Sequence, residues 1–374
     1  MSEQDPVQQS IDNVSNDYDL DTFKLEDENL EKAKCFYENA VFEGGGIKGI
    51  AFGGAIKFFE EHKLMQNMKR FAGSSAGAII AACVAIGYVA DEIIDIMTNT
   101  DFTQFKDDSW NVAMDAYRFL HNYGIYKGDR FYEWFKGVVK SKTGDENFTF
   151  KQLHDQTGKE LVITGTCLNK AITYYFHHLK WPNMPIALAV RISMSIPLVY
   201  QAVKIHTKTP KYDVNGDIIK DQNGEPVYID SEDVMVDGGL LNNYPIWCFD
   251  GTNIGSNDVD DVGMQKSKTI GFKLMTSDEK KDDRLYYYDN PINSIVDCVR
   301  ALIDSMTIQI ERGHIRKGYW DKTVCLNTGT VSTLDFNLSE EVKKELINNA
   351  YIATKNHFYC KLFGVENKMN EIKH

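Results

Sequence analysis

Two glycine-rich turns, each between a stretch that predicts a strand and one that predicts a helix, constrain the fold more than any other feature of the sequence. The first lies in residues 41–55, VFEGGGIKGIAFGGA, where Gly44, Gly46 and Gly49 match G-x-G-x-x-G. The second is GSSAG at residues 73–77. Two strand–turn–helix units in succession predict an α/β fold with a largely parallel sheet.

The first turn by itself leaves three interpretations open. Backbone N–H groups at a helix N-terminus stabilise negative charge, so the loop could hold a dinucleotide pyrophosphate, the oxyanion of a reaction intermediate, or no ligand. A dinucleotide site also needs an acidic residue at the end of the next strand, about 20 residues past the glycines, to bind a ribose. Residues 69–74 read KRFAGS and supply no such residue.

The second turn matches G-x-S-x-G, which forms a nucleophile elbow when it lies between a strand and a helix. Such a turn holds its serine in a strained conformation with the hydroxyl exposed, and this requires small neighbours such as Gly73 and Gly77. Ser75 is therefore the candidate nucleophile, and a glycine/serine helix start without chemistry is the alternative. A nucleophile in this position favours the oxyanion interpretation of the first turn. The predicted donors are the backbone N–H groups of Gly44, Gly45 and Gly46.

Asp237 ends a third predicted strand, just before Gly238 and Gly239. A carboxylate there can take the proton of Ser75 if burial raises its pKa above the ordinary value of about 3.9. On spacing alone, an Asp-Gly-Gly turn without a catalytic role is the simpler explanation.

Taken together, these motifs resemble the patatin-like phospholipases, a family of lipid acyl hydrolases. The resemblance covers nearly everything after the N-terminal tail and runs through EGGGIKG (43–49), GSSAG (73–77), ALAVRISMSIPLVY (187–200), VDGGLLNNYPIWCFD (236–250) and NTGTVSTLDFNLS (327–339). It implies a three-layer α/β sandwich with a largely parallel central sheet. It also implies a Ser75–Asp237 dyad without histidine, metal or other cofactor. The residues that support the catalytic motifs are then Lys48, Gly49, Gly73, Gly77, Gly238 and Gly239.

The chain departs from the family pattern at two positions in the first block. Glu43 stands where the family usually has aspartate, and Lys48 stands where it usually has arginine. Both replacements keep the charge, so we expect activity to be retained. Lysine is nevertheless a point charge and would lose any bidentate contact that arginine makes.

The histidines offer an alternative catalytic triad and an alternative metal site. His314 and His357 follow Asp237 in the chain order of an α/β-hydrolase, but each lies at or after the end of a predicted helix, which favours surface or packing roles. His177 and His178 are adjacent on a predicted strand and should face opposite ways, so they do not form a simple chelating pair. We therefore predict no metal site.

Three further groups of charged or aromatic residues need consideration for contact with a ligand or a membrane. Arg191, within an apolar helix, is a candidate contact for a substrate phosphate or else a structural charge paired with a carboxylate or carbonyl groups. Lys280, Lys281 and Arg284 lie among acidic residues and predict a solvated loop. The tyrosines at 286–288 could lie at a bilayer interface or pack against the helix that follows.

The composition limits the class of protein and of partner. The chain has 374 residues, 43% of them hydrophobic, which is enough for a sizeable core, and its net charge of −13 argues against nucleic acid. Seven cysteines without C-x-x-C pairs suit a cytosolic compartment. The polar N-terminus lacks the features of a signal peptide. The longest apolar run, from Ala76 to Ala90, is shorter than the roughly 20 residues that a membrane helix needs.

The predicted organisation is an N-terminal tail or arm (1–34), a catalytic domain (35–364) and a C-terminal tail (365–374), with the oligomeric state left open. The predicted function is hydrolysis of membrane or micellar phospholipid, of the phospholipase A or lysophospholipase type, by a cytoplasmic protein that binds membranes peripherally. One alternative is a lipase or esterase acting on neutral acylglycerols. The other is a lipid-binding protein, or an enzyme that a protein partner activates.

Overall fold

The computed structural model describes residues 23–105, 123–255, 267–276 and 317–365, except the single positions 26, 212, 216, 252, 332, 334, 336 and 337, together with residues 301 and 305. The strands are β1 (Asn39–Phe42), β2 (Arg70–Gly73), β3 (Gly124–Tyr126), β4 (Glu160–Cys167), β5 (Ile172–Phe176), β6 (Leu198–Tyr200), β7 (Val203–Pro210), β8 (Tyr228–Asp237), β9 (Thr269–Met275) and β10 (Thr323–Asn327). The α-helices are α1 (Asp27–Lys34), α2 (Phe52–Glu61), α3 (Ala76–Ile86), α4 (Ala90–Asn99), α5 (Asp129–Thr143), α6 (Phe150–Thr157), α7 (Ile186–Ser193), α8 (Gly239–Asn242), α9 (Lys317–Trp320) and α10 (Glu340–Phe363). Short 3-10 helices span Gly46–Ala51, Leu64–Asn67 and Phe102–Phe105.

Eight of the described strands form one sheet, in the order β10-β9-β1-β2-β4-β8-β7, with β5 also paired to β4. The neighbours from β10 to β4 are parallel. Strand β8 runs antiparallel to both β4 and β7, and β5 runs antiparallel to β4. The largely parallel sheet with intervening helices confirms the α/β fold predicted from the two glycine-rich turns.

The sheet buries side chains on both faces, as a layered α/β fold requires. Phe42 of β1 and Phe71 of β2 belong to the larger apolar core, which includes residues of α2, α3 and α10. Their neighbours Val41 and Ala72 point the other way and pack in a smaller cluster with residues of the segment 244–249. This alternation is the two-residue period of a strand that is covered on both sides.

Helix α3 starts directly after Ser75 and is buried from Ala76 to Ala85. Its surface is apolar all round, which is typical of a helix enclosed by a core. The helix ends at Gly87, whose φ of 99° lies in the left-handed region. The apolar run that begins at Ala76 therefore forms a core helix that ends at Gly87.

The described part of the predicted N-terminal arm packs on the core. Phe23 and Leu25 are buried, and the ring of Phe23 makes edge-to-face contacts with Tyr359 and Phe363 of α10. Residues 23–34 are thus docked through apolar contacts. Residues 1–22 of the predicted arm and 366–374 of the predicted C-terminal tail lie outside the described residues.

The parallel strands bring the predicted catalytic turns to one edge of the sheet. The glycine loop follows β1 and Ser75 follows β2, so both lie at carboxyl ends of neighbouring parallel strands. Gly73 pairs with Ile163, and Asp237 pairs with Gly165, two residues farther along β4. Strand β4 therefore brings the ends of β2 and β8 to the same level of the sheet.

Candidate active site

Ser75 lies at the sharp turn between β2 and α3. Its backbone torsion angles, φ 50° and ψ −124°, fall in a region that residues with a side chain rarely occupy. Its N–H donates to Oγ of Ser193 at 2.9 Å. A Cβ on Gly73 would come within 2.1 Å of the Gly77 carbonyl oxygen, and one on Gly77 within 2.2 Å of the Phe42 carbonyl oxygen. The turn therefore requires glycine at both positions, as a nucleophile elbow does.

Asp237 is a buried carboxylate at the end of β8, with 5% of its surface exposed. Its N–H donates to the carbonyl of Ser195 at 2.9 Å, and its Oδ1 accepts from the N–H of Gly239 at 2.6 Å. Its Oδ2 has no hydrogen-bond partner among the described residues. Burial raises the pKa of Asp237 from 3.8 to about 7, although the Gly239 N–H and the Ser75 hydroxyl act to lower it. A carboxyl with this pKa is partly ionised at neutral pH, which suits a general base.

The hydroxyl of Ser75 has two neighbours that can accept its proton. In this conformation Oγ lies 3.6 Å from Sδ of Met194 and donates to it. The same hydroxyl is close enough to Asp237 to lower the pKa of that carboxyl. Because a thioether is a weak acceptor, we expect rotation about the Cα–Cβ bond of Ser75 to replace the contact with Met194 by a hydrogen bond to the free Oδ2 of Asp237.

The glycine loop after β1 lies against the nucleophile, since a Cβ on Gly44 would come within 3.0 Å of Cβ of Ser75. The N–H of Gly44 donates to the carbonyl of Asn243 at 3.0 Å, so one of the three predicted oxyanion donors is already engaged. The N–H groups of Gly45 and Gly46 have no acceptor in the part of the chain that the structure describes. These two amides remain candidate donors.

The carboxylate of Glu43 anchors the glycine loop to β9. It forms a buried ion pair with Lys273 and accepts from the N–H of Leu274 at 2.6 Å. The negative charge of Glu43 therefore fixes the start of the loop. Lys48, the other residue that departs from the family pattern, is partly exposed on the 3-10 helix that follows.

Residues 193–195, at the end of α7, contact both candidate catalytic residues, and sequence reasoning missed this. The hydroxyl of Ser193 accepts from the N–H of Ser75, and the carbonyl of Ser195 accepts from the N–H of Asp237. The segment lies within a block that carries the family resemblance, but serines are too common for spacing alone to single them out.

Arg191 is buried and holds this segment in place. Its guanidinium donates to Oγ of Ser195 and to the backbone carbonyls of Lys127 and Gln201. The sequence left open a contact with a substrate phosphate or a structural role for this charge. The carbonyl partners favour the structural role, so we do not include Arg191 among the proposed substrate contacts.

His357 does not join the candidate dyad. It is buried, its Nε2 lies 2.6 Å from the hydroxyl of Tyr37, and burial lowers its pKa to about 3. Tyr37 precedes β1, at the opposite end of that strand from the glycine loop. The second histidine considered for a triad, His314, lies outside the described residues.

His154, Glu160 and His178 form a cluster that needs consideration as a metal site, since one ligand atom of each lies within 4.8 Å of the others. The two imidazole rings stack face to face, with 4.0 Å between centroids and 12° between planes. Nitrogen lone pairs lie in the ring plane, so those of stacked rings run side by side and do not meet at one ion. His177, the neighbour of His178 in the chain, does not belong to this cluster, and its ring is turned 78° from that of His178. We assign no metal to this cluster.

The predicted solvated loop with Lys280, Lys281 and Arg284 and the tyrosines at 286–288, which could lie at a bilayer interface, fall outside the described residues. Within the described part of the chain, no helix combines the length and the apolar character needed to cross a bilayer.

The sequence matches known proteins over most of its length. The family described as patatin-like phospholipase matches residues 40–250. An uncharacterised protein R571 of Acanthamoeba polyphaga mimivirus is 30% identical over 311 residues, which are 83% of this chain and 89% of the relative. An uncharacterised protein YqhO of Bacillus subtilis is 28% identical over 321 residues, which are 83% of this chain and 94% of the relative.

A solved structure supports the fold. The crystal structure of VipD from Legionella pneumophila superimposes with a TM-score of 0.53 at 15% sequence identity, covering 87% of this chain and 67% of that one. At this level of identity the likeness concerns the arrangement of strands and helices alone.

Proposed function

Since the chain belongs to the patatin-like phospholipase family, we propose that it is a lipid acyl hydrolase that cleaves fatty acyl esters of phospholipids through Ser75 and Asp237. The observation that carries the proposal is the pairing of a strained serine at a nucleophile elbow with a buried carboxyl whose pKa is raised to about 7. A surface aspartate would be too weak a base to take a hydroxyl proton at neutral pH. The phospholipid class rests on the description of the family.

In the first step, Oγ of Ser75 attacks the ester carbonyl while its proton passes to Oδ2 of Asp237. The electron pair of the carbonyl moves onto its oxygen, and the resulting oxyanion is stabilised by the N–H groups of Gly45 and Gly46. Losing one such donor typically lowers kcat by about 10² to 10³. The tetrahedral intermediate then collapses, and the lysolipid oxygen leaves with the proton from Asp237. A fatty acyl ester of Ser75 remains.

In the second step, Asp237 takes a proton from water as the water oxygen attacks the acyl ester. The second oxyanion occupies the same glycine loop. Collapse of this intermediate returns the proton to Oγ of Ser75 and releases the fatty acid. The steps as written use no metal or cofactor, and the lipid reaches the site at a membrane or micelle surface.

The test is release of free fatty acid from phosphatidylcholine vesicles, with EDTA present, by the wild type, Ser75→Ala and Asp237→Asn. We expect the wild type to be active and both variants to lose nearly all activity. Ser74→Ala is the matched control, because Oγ of the adjacent Ser74 is buried and has no hydrogen-bond partner among the described residues. Full activity of Ser75→Ala would refute the proposal.

Two alternatives to the proposed function predict different experimental results. Faster hydrolysis of a triacylglycerol emulsion than of vesicles would indicate a neutral lipase or esterase. Fatty acid release that requires a second protein would indicate a partner-activated enzyme. Sedimentation with vesicles without fatty acid release, and without a Ser75 adduct with a fluorophosphonate, would indicate lipid binding alone.

A further inference from the structure

Asn243 connects the glycine loop to the turn that carries Asp237. It lies just after α8, and its backbone carbonyl accepts from the N–H of Gly44 at 3.0 Å. Its side-chain Nδ2 donates to the carbonyl of Gly44 at 3.1 Å. Both polar groups of Gly44 are therefore held by one residue.

The side chain of Asn243 also packs closely against two glycines. Its Oδ1 would lie 2.2 Å from a Cβ on Gly44 and 2.7 Å from a Cβ on Gly239. The N–H of Gly239 in turn donates to Oδ1 of Asp237. The amide of Asn243 thus lies between the base and the glycine loop, in contact with the backbone on both sides.

The planarity of the peptide bond gives the hydrogen bond from Nδ2 a further effect. The carbonyl of Gly44 and the N–H of Gly45 belong to one trans peptide unit, so they point in opposite directions. Nδ2 of Asn243 fixes the direction of the carbonyl, and it thereby fixes the direction of the Gly45 N–H. A peptide between two glycines flips at little steric cost, so this orientation needs an external hydrogen bond.

We propose that Asn243 is a positioning residue that orients the Gly44–Gly45 peptide so that the N–H of Gly45 faces the developing oxyanion. The inference rests on the proposed hydrolase function. It also identifies Gly45, and not Gly44, as the donor that this peptide contributes, because the N–H of Gly44 is held by the carbonyl of Asn243.

Two substitutions test the role of the Nδ2 donor. Asn243→Leu removes the donor at similar size, and Asn243→Asp replaces it with an acceptor that repels the Gly44 carbonyl and attracts the Gly45 N–H. With a soluble p-nitrophenyl ester as substrate, we expect kcat to fall about 10- to 100-fold for Asn243→Leu and further for Asn243→Asp, with KM within about 3-fold. Asn242→Leu is the matched control, since the amide of Asn242 donates instead to the hydroxyl of Tyr175 at 2.8 Å.

Binding of a transition-state analogue separates positioning from a loss of structure. An alkyl trifluoromethyl ketone forms an oxyanion on Ser75, so its affinity should fall in parallel with kcat/KM across the Asn243 variants. A non-hydrolysable ether lipid forms no oxyanion and should bind the variants as it binds the wild type. Unchanged ketone affinity in a variant with lowered kcat would overturn the inference.

A measurement on the wild type avoids dependence on the folding of any variant. In protein labelled with ¹⁵N-glycine, binding of the trifluoromethyl ketone should shift the amide proton of Gly45 downfield and leave that of Gly44 nearly unchanged. A shift at Gly44 instead of Gly45 would overturn the inference.

The outcomes distinguish this inference from the proposed function. An active wild type with unchanged kcat in both Asn243 variants would overturn the role of Asn243 and leave the hydrolase standing. A wild type that neither cleaves esters nor forms a fluorophosphonate adduct at Ser75 would overturn both.

Discussion

Replacing Asp237 by asparagine should make the folded protein more stable at alkaline pH while abolishing activity. Burial raises the pKa of Asp237 from 3.8 to about 7 in the folded state, whereas an unfolded chain restores the lower value. The folded state therefore binds the proton more tightly, and this contribution to stability is complete below pH 4 and lost as pH rises to 7. The difference in pKa corresponds to roughly 4 kcal/mol, at about 1.36 kcal/mol per pKa unit.

The assay is urea unfolding of wild type and Asp237→Asn at pH 5 and pH 8.5. Asparagine can still accept from the N–H of Gly239, and its amide does not ionise, so the variant should gain roughly 3 kcal/mol over the wild type between these two pH values. All other titrating groups cancel in the comparison of the two proteins. A difference between wild type and variant that does not change with pH would refute the raised pKa.

Three other measurements test the site, and a fourth, on a glycine outside it, serves as a comparison. The value of kcat/KM for a soluble ester should rise about tenfold per pH unit from pH 5 and level off near pH 7, as Asp237 ionises; a plateau that already holds at pH 5 would contradict this. Ser75→Gly should raise the free energy of unfolding by about 1 to 2 kcal/mol by relieving the positive φ, and equal stability in urea would argue against strain. Gly77→Ala should lower the free energy of unfolding by at least about 2 kcal/mol, because the new methyl group would collide with the backbone. Gly137→Ala should instead raise the free energy of unfolding by about 0.5 to 1 kcal/mol, because alanine favours the helix more than glycine does and its Cβ would meet nothing within 4 Å.

The sequence was sufficient for the parts of the fold that depend on local pattern. Strands β1, β2 and β8 and helix α3 follow from apolar stretches that end or begin at glycine-containing turns. The order of strands in the sheet was not predictable in the same way. The pairing of β9 with β1, for example, joins Thr269 to Asn39 and depends on packing between segments far apart in the chain.

The candidate site shows the same division between local and long-range information. Ser75 and Asp237 were identified because each lies in a glycine-containing motif at a strand end. Ser193 and Asn243 were not identified, because their hydrogen bonds join segments that are far apart in the chain. Ser193 and its partner Ser75, for example, are 118 residues apart. Gly44 was placed among the oxyanion donors because a motif identifies a loop and does not show which amides of that loop are already bonded.

The attachment of both candidate catalytic residues to residues 193–195 has a practical consequence. Docking of α7 beside the ends of β2 and β8 supplies hydrogen bonds that hold the backbones of Ser75 and Asp237 in position. If Ser75 is the nucleophile that we propose, a chain that has formed its local helices without this assembly lacks these supports and should not react at Ser75. Covalent labelling of Ser75 would therefore count correctly assembled molecules in a preparation, and total protein minus labelled protein would give the misfolded fraction without any denaturation experiment.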